Sequence, residues 1–457
     1  MKLKKAIAAV LSVVVLICCI SLPAEAAVFV TNFDIQCKAA YLVNLDTDNV
    51  VFEKNADEKM YPASLTKIMT YIVTVENVEN IKNTKVIIDQ EILNLLLGTD
   101  SSMSGLEYFV GETVTVYDLL NSLMIKSGND AALLLADHVG GGSIQKFVDM
   151  MNEKAQQLGC SGTHFVNPHG LHDPDHYSTA HDIYKIMRYA QTLSDFNEIT
   201  STVTAYLSVD KDKNYPLNTT NKLIDSVNGG DYFYEFAKNG KTGTTDEAGY
   251  CLATTASNGG YTYMCVCLGA PAVNASGEEV EKNGAMIDSK ALYEWAFENL
   301  ELKTVVDEKK PVCEVPIELA WDQDTVQLVP QGSFSTILPK DVESSSIDIT
   351  TSIPDSLTAP VIEGNVIGTA IVSYANQELC TVDLIAAETV ERSRMLYFME
   401  SAKKVLQSRW MILAVSIVVI LFVIYFIVTQ MYNSKKKRNA NIKAKKKRRS
   451  KKDHSSK

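Results

Sequence analysis

The chain has 457 residues, 46% of them apolar and 21% charged; this mixture excludes a disordered chain and allows two or three domains with a sizeable core. Its net charge of −12 is unevenly placed: the segment from Asn433 carries 13 Lys/Arg against one Asp, and the first 26 residues carry three Lys against one Glu. That leaves −26 on residues 27–432, a balance that keeps the region soluble and argues against nucleic-acid binding by it.

The N-terminus reads as a targeting segment. A basic "MKLKK", an apolar "AIAAVLSVVVLICCISL" and the small-residue site Ala24-Glu25-Ala26 follow in the order of a secretory signal peptide over residues 1–26. Ile17 ahead of Cys18 does not fit a lipidation site. Seven cysteines remain beyond it, Cys37, Cys160, Cys251, Cys265, Cys267, Cys313 and Cys380, with no CxxC and no metal spacing. They read as small buried hydrophobes, with room for one disulfide whose partners the spacing does not name.

Residues 38–53 predict two short strands around Asp46-Thr47-Asp48-Asn49. From Ser64 onward, Leu65, Ile68, Met69, Ile72 and Val73 fall at helical spacing. Residues 117–137, 143–158 and 179–193 predict further amphipathic helices. "GYCLATTAS" and "YTYMCVCLGAP" predict paired strands joined by Asn258-Gly259-Gly260, and "SKALYEWAFENL" a closing helix. Strands at both ends with helices between make residues 27–302 an α/β domain.

Residues 303–388 hold short β-rich runs broken by Pro, Gly, Asn and Asp, which predict a small all-β domain. Residues 389–409 predict a helical stalk. "WMILAVSIVVILFVIYFIVT", residues 410–429, holds no charge; at roughly 1.5 Å per residue it reaches roughly 30 Å, the thickness of a bilayer core. The basic tail over residues 430–457 then belongs in the cytoplasm, within reach of anionic lipid, and residues 27–409 lie outside.

The chemistry begins at "YPASLTKIMT". Pro62 favours a helix start, so Ser64 falls in or beside the first turn, where the helix dipole favours developing negative charge. Lys67 lies three residues on, on the same face, and its amine can reach the Ser64 hydroxyl. Apolar neighbours would strip the amine of water and depress its pKa, as a neutral base requires. The chain has five Ser-x-x-Lys pairs; the others are Ser143/Lys146, Ser208/Lys211, Ser401/Lys404 and Ser434/Lys437. The first is distinguished by its ordered partners, Ser127-Gly128-Asn129 and then Lys241-Thr242-Gly243 on an expected edge strand.

Ser-x-x-Lys, Ser-x-Asn and Lys-Thr-Gly in that order form the signature of penicillin-binding proteins and serine β-lactamases. "YPASLTKIMT", "MIKSGNDAA", "FVNPHGLHDPDHYSTA", "NTTNKL" and "KTGTTDEAGYC" together resemble the D-alanyl-D-alanine carboxypeptidases, the low-molecular-mass penicillin-binding proteins. The resemblance covers residues 35–300 closely. The β domain and membrane anchor after it resemble that family's layout, although many members use an amphipathic helix where this chain has a full apolar span.

The resemblance implies a β-lactamase/transpeptidase-like α/β fold, an antiparallel sheet flanked by helices with a helical subdomain. It also implies a partner, the peptidoglycan stem peptide ending in D-Ala-D-Ala, covalent capture by β-lactam antibiotics, and no cofactor. Ser64 is then the nucleophile, Lys67 its base and Ser127 the relay to the departing D-alanine. Asn129 holds a substrate amide and Lys67. Lys241 supplies a positive field, and Thr242, Gly243 and Thr244 belong to the strand that binds the terminal carboxylate. The backbone N–H groups of Ser64 and Thr244 form the oxyanion hole. Some relatives carry histidine at the position of Thr244.

Two rival functions fit parts of this pattern. A class A β-lactamase needs a glutamate in an E-x-x-L-N context between the second and third motifs; Glu153, Glu198 and Glu235 lack it. A non-catalytic penicillin sensor would need a signalling domain larger than the short basic tail. His164, His169, His172 and His176, with Asp173 and Asp175, crowd a turn-rich segment; their spacing matches no helical zinc pair, so they read as a structural or substrate-lining loop.

Overall fold

Alternating and continuous apolar runs at both ends of the first 300 residues meet in one antiparallel sheet. The structure, a computed structural model, describes residues 29–99, 101–210, 213–274 and 276–452. The expected signal peptide lies outside the described residues. The sheet contains β1 (Ala39–Asn44), β2 (Val50–Lys54), β3 (Ala237–Thr245), β4 (Gly249–Asn258) and β5 (Tyr261–Ala270), in the order β2-β1-β5-β4-β3. The β4–β5 turn is the Gly259-Gly260 pair, at φ 64° and 94°. Two central residues at positive φ match the right-handed twist of a tight hairpin, and glycine takes them without a Cβ penalty.

Both faces of the sheet are covered. Ala40, Leu42, Cys265 and Cys267 pack with Leu292, Tyr293 and Ala296 of the helix Gly284–Asn299. Tyr41, Val43, Met264, Val266 and Leu268 face the larger core built from the remaining helices. Of these, α1 (Thr66–Asn77) is the most enclosed, buried continuously from Thr66 to Thr74. α2 (Val116–Met124) opens on a capping box between Thr115 and Asp118. α3 (Asn129–Gly140), α4 (Ile144–Gln157) and α5 (Ala180–Ala190) follow. Ser143 caps α4 through the Lys146 N–H, which accounts for one Ser-x-x-Lys pair outside the site.

The single helix expected over residues 117–137 is two helices. Ser127 takes φ 64° and Gly128 is extended, so the backbone turns out of the helical path. The Gly128 N–H bonds to Ser122 O at 3.0 Å, and the Asn129 N–H bonds across to Ser102 O at 2.8 Å. Apolar periodicity runs through this break because both helices face the same core, so periodicity alone does not reveal it.

The chain packs as two compact units. Among the described residues, one holds those up to Val305 with Phe334–Asp348 and Ser373–Leu379; the other holds Val306–Ser333, Ile349–Val372 and those from Cys380. A six-stranded β-sheet includes Cys313–Glu318, Thr325–Pro330, Val366–Tyr374 and Gln377–Ala386. Val315, Val326, Leu328, Ala370, Leu384 and Ala386 form its core. Two helices close the chain, α6 (Gly284–Asn299) already described being followed by α7 (Arg394–Leu406) and α8 (Arg409–Lys452). α8 is long and apolar enough to cross a membrane, with mean hydropathy 3.2 in its apolar window.

The edge strand β3 reaches the turn that carries Ser64 through a glycine. A Cβ on Gly243 would lie 2.8 Å from Pro62 O and 3.1 Å from Ser64 N. Gly243→Ala is therefore expected to lower unfolding free energy in urea by about 1–3 kcal/mol, the usual range for overpacking. Gly332, with nothing within 4 Å of its Cβ position, is the control, and Gly332→Ala should stay within about 0.5 kcal/mol of the parent.

Candidate active site

Ser64 sits on a short 3₁₀ turn, Ala63–Leu65, that feeds directly into α1. Ala63 is held at φ 47°, a left-handed conformation costing a residue with a Cβ about 1–3 kcal/mol. Leu65 and Ile68, both fully buried, anchor the chain on either side and offset that cost. The result lifts Ser64 to a half-buried position while its neighbours remain inside.

Lys67 lies one turn below, with no exposed surface. Its Nζ is 2.7 Å from Ser64 Oγ, 2.7 Å from Asn129 Oδ1 and 2.8 Å from His169 O. Among the described residues, no carboxylate pairs with it directly. Burial holds the amine well below its ordinary pKa; the charge of Lys241 lowers it further and Asp130 opposes the shift.

The helix break places the second motif against these groups. Asn129 opens α3, gives its Oδ1 to Lys67 and turns its Nδ2 to Ser101 Oγ at 3.2 Å. Ser127 faces the third motif: Lys241 Nζ donates to Ser127 Oγ at 2.8 Å and to Thr242 O at 2.7 Å. Lys241 is 1% exposed, and burial lowers its pKa to about 7. Thr242 Oγ1 meets Thr220 Oγ1 at 2.5 Å. Thr244, on the same edge strand, is exposed. Direct hydrogen bonds thus join Ser64, Lys67 and Asn129 in one group and Ser127, Lys241 and Thr242 in a second, while Gly243 lies against the Ser64 turn.

The histidine-rich loop is a backing plate for α1. Pro168 O accepts from Thr70 Oγ1 at 2.5 Å, and His169 O accepts from Lys67. Gly170 sits so close that a Cβ would lie 1.9 Å from Ala63 O. His176 Nε2 is 2.7 Å from Thr66 Oγ1. His164 Nδ1 bonds to Asp175 O at 2.6 Å, and His172 packs edge-on against Tyr61. Burial lowers His169 to about 3 and His176 to about 4, so both rings are neutral near pH 7. The seven described cysteines are thiols.

Several residues at the site carry no motif. Asp130 is fully buried and accepts from Ser104 N, Ser104 Oγ and Ala131 N at 2.9 Å each, which fastens residues 101–104 beside Asn129. Ser101 and Thr220 touch motif side chains, and His169 contributes only its carbonyl. Adjacency to Asn129 was the one available signal for Asp130; Thr220 lies in the quoted "NTTNKL" stretch. A backbone carbonyl leaves no trace in residue identity.

Comparison with known proteins agrees with this geometry. Residues 25–272 match the family model described as D-alanyl-D-alanine carboxypeptidase, and residues 301–392 match the penicillin-binding protein 5 C-terminal domain. The chain is 29% identical to D-alanyl-D-alanine carboxypeptidase DacF of Bacillus subtilis, over 80% of this chain and 88% of that one. It is 31% identical to DacA of Haemophilus influenzae, over 78% of this chain and 85% of that one. Among solved structures it resembles penicillin-binding protein 5 from Haemophilus influenzae, with TM-score 0.57 and 26% identity, over 79% of this chain and all of that one. It also resembles the Streptomyces K15 DD-transpeptidase, with TM-score 0.52 and 30% identity, over 59% of this chain and all of that one. The family match spans more than half of the sequence, and the chain belongs to the D-alanyl-D-alanine carboxypeptidases, serine peptidases of the penicillin-binding protein class.

Proposed function

We propose that the chain removes the terminal D-alanine from peptidoglycan stem pentapeptides through an acyl-enzyme on Ser64, with Lys67 as general base. The observation that carries this reading is the buried Lys67 amine 2.7 Å from Ser64 Oγ. A neutral amine has two N–H donors and one lone pair. Asn129 Oδ1 and His169 O are pure acceptors and take the two N–H groups. The third contact, the Ser64 hydroxyl, is the one partner that can donate into the lone pair. The hydroxyl proton then passes to Lys67 as Oγ attacks the carbonyl between the two D-alanines. The Ser64 and Thr244 N–H groups receive the oxyanion. Ser127, hydrogen-bonded to Lys241, gives its hydroxyl proton to the departing D-alanine nitrogen as the C–N bond breaks, and the proton held by Lys67 replaces it, returning Lys67 to the neutral amine. Water then attacks the ester carbonyl, giving a proton to Lys67; the C–Oγ bond breaks and Lys67 returns that proton to Ser64 Oγ.

Lys241, Thr242 and Thr244 hold the terminal carboxylate, with Gly243 letting their strand approach. Asn129 orients a substrate amide along with Lys67. β-Lactams present a strained amide to the same serine, and the absence of an E-x-x-L-N glutamate leaves the penicilloyl ester long-lived. α8 anchors the protein through residues 410–429, with the catalytic domain outside the cell and the basic tail over residues 430–457 in the cytoplasm, on the positive-inside rule. The β-rich domain over residues 303–388 and the helical segment over 389–409 hold the site towards the wall.

The full chain in detergent should release D-alanine from a D-Ala-D-Ala peptide, and Ser64→Ala should lose at least about 10³-fold of that rate, as removal of a nucleophile does. Mass spectrometry after penicillin should place one slowly hydrolysed adduct on Ser64. Undiminished release by Ser64→Ala, or rapid penicillin turnover, contradicts the reading.

The pH profile follows from the two lysines. Lys67 must be unprotonated and Lys241 protonated. Penicillin acylation should therefore rise with pH through the depressed pKa of Lys67 and fall as Lys241 loses its proton near 7. Lys241→Arg stays charged throughout and should remove the alkaline fall. An alkaline limb that is the same in Lys241→Arg would exclude Lys241 as its source.

A further inference from the structure

We infer that His176 and Thr66 are positioning residues that aim the Ser64 N–H into the site; the inference rests on the reading of that N–H as an oxyanion donor. Ala63 C=O and Ser64 N–H belong to one peptide group, and in a planar trans peptide they point in opposite directions. Whatever fixes the carbonyl therefore aims the N–H. Ala63 O accepts the Thr66 hydroxyl at 2.8 Å, and the Thr66 N–H also turns to it. Thr66 Oγ1 in turn lies 2.7 Å from His176 Nε2.

The direction of this chain is set by the far side of the imidazole. His176 Nδ1 accepts the Val166 N–H at 3.2 Å, so in the neutral ring the proton is on Nε2. His176 Nε2–H donates to Thr66 Oγ1, and Thr66 O–H donates to Ala63 O. Hydrogen bonds in series polarise one another, and the last draws electron density out of the Ala63–Ser64 peptide. That makes the Ser64 N–H a stronger donor towards a developing oxyanion.

Two further observations point the same way. Ala63 is held at φ 47°, a conformation that persists only where its surroundings over-determine it. Gly170 closes over the same carbonyl, since its Cβ would lie 1.9 Å from Ala63 O and 2.9 Å from Thr66 Oγ1. Thr66 is fully buried and His176 is 2% exposed, so neither reaches substrate. The imidazole is fixed in place by Val166 N–H and by the edge of Phe165, 5.5 Å between ring centroids. The His-rich loop thus acts on the reaction through the peptide it orients.

The test uses the full chain in detergent and single-turnover acylation by a fluorescent penicillin, resolved into a non-covalent binding constant and an acylation rate constant per folded enzyme. Loss of an oxyanion donor costs about 10²–10³-fold; misaiming one should cost about tenfold or more. Thr66→Val and His176→Phe should lose that factor in the acylation constant and change binding by less than about twofold. Thr66→Ser and His176→Gln keep an O–H or N–H donor and should recover most of the rate. Thr66→Val acylating at the parent rate, or Thr66→Ser as slow as Thr66→Val, overturns the inference, and the His176 pair decides it if a Thr66 variant does not fold. A parent enzyme acylated away from Ser64 would instead overturn the underlying reading.

Discussion

One buried amine organises this site. Lys67 has no exposed surface and no carboxylate in hydrogen-bonding contact, and two of its three neighbours are carbonyl oxygens. A charged ammonium in such a place carries a heavy desolvation cost, with neutral dipoles in contact and Asp130 beyond hydrogen-bonding reach to offset it. Burial shifts Lys67 towards the neutral amine, the state in which, on the proposed reading, it takes a proton from serine. A salt bridge to Lys67 would have stabilised the ammonium and disfavoured the proposed base. Asp130 illustrates the balance: it lies near enough to raise the Lys67 pKa, but its oxygens are engaged by Ser104 and Ala131.

The surrounding fold serves to keep water and charge away from that amine. α1 is buried along most of its length, which few helices in a globular domain are. Loop 167–170 covers it with carbonyls instead of side-chain charges, through Pro168 and His169. On the other side the edge strand β3 closes against residues 62–64, and this approach is open only to glycine at position 243. Lys241, buried beside Ser127, repels a proton on Lys67 while remaining nearer its own charged state. Two cations in one cleft would be costly for stability, but their mutual repulsion separates the titration of the proposed base, Lys67, from that of Lys241, the proposed partner of the substrate carboxylate.

That the motif residues would come together was legible because they are side chains at fixed spacing. Ser64 and Lys67 share a helix face whatever else happens, and Lys-Thr-Gly before a hairpin marks an edge strand. The sheet and the β4–β5 turn were legible for similar reasons, since Gly259-Gly260 can adopt two positive φ values in succession. What escaped was anything set by long-range packing. The helix over 117–137 hid a break at Ser127, because a φ of 64° on a serine is imposed by Ser102 and the surrounding core, 25 residues away in the chain. The carbonyl of His169 escaped because sequence records its imidazole and says nothing of its backbone. Which histidines would make contacts was also not legible: the rings of His176 and His164 and the carbonyl of His169 bond to Thr66, Asp175 and Lys67.

The central claim is that Lys67 rests unprotonated before substrate arrives. NMR of the full chain carrying ¹³C at lysine Cε, with the Lys67 signal assigned by its loss in Lys67→Arg, measures this without substrate or antibiotic. The account predicts a Lys67 titration displaced well below the ordinary value of 10.5, with the amine neutral at pH 7. A Lys67 signal that titrates at the ordinary value, with the ammonium intact at neutral pH, would contradict it.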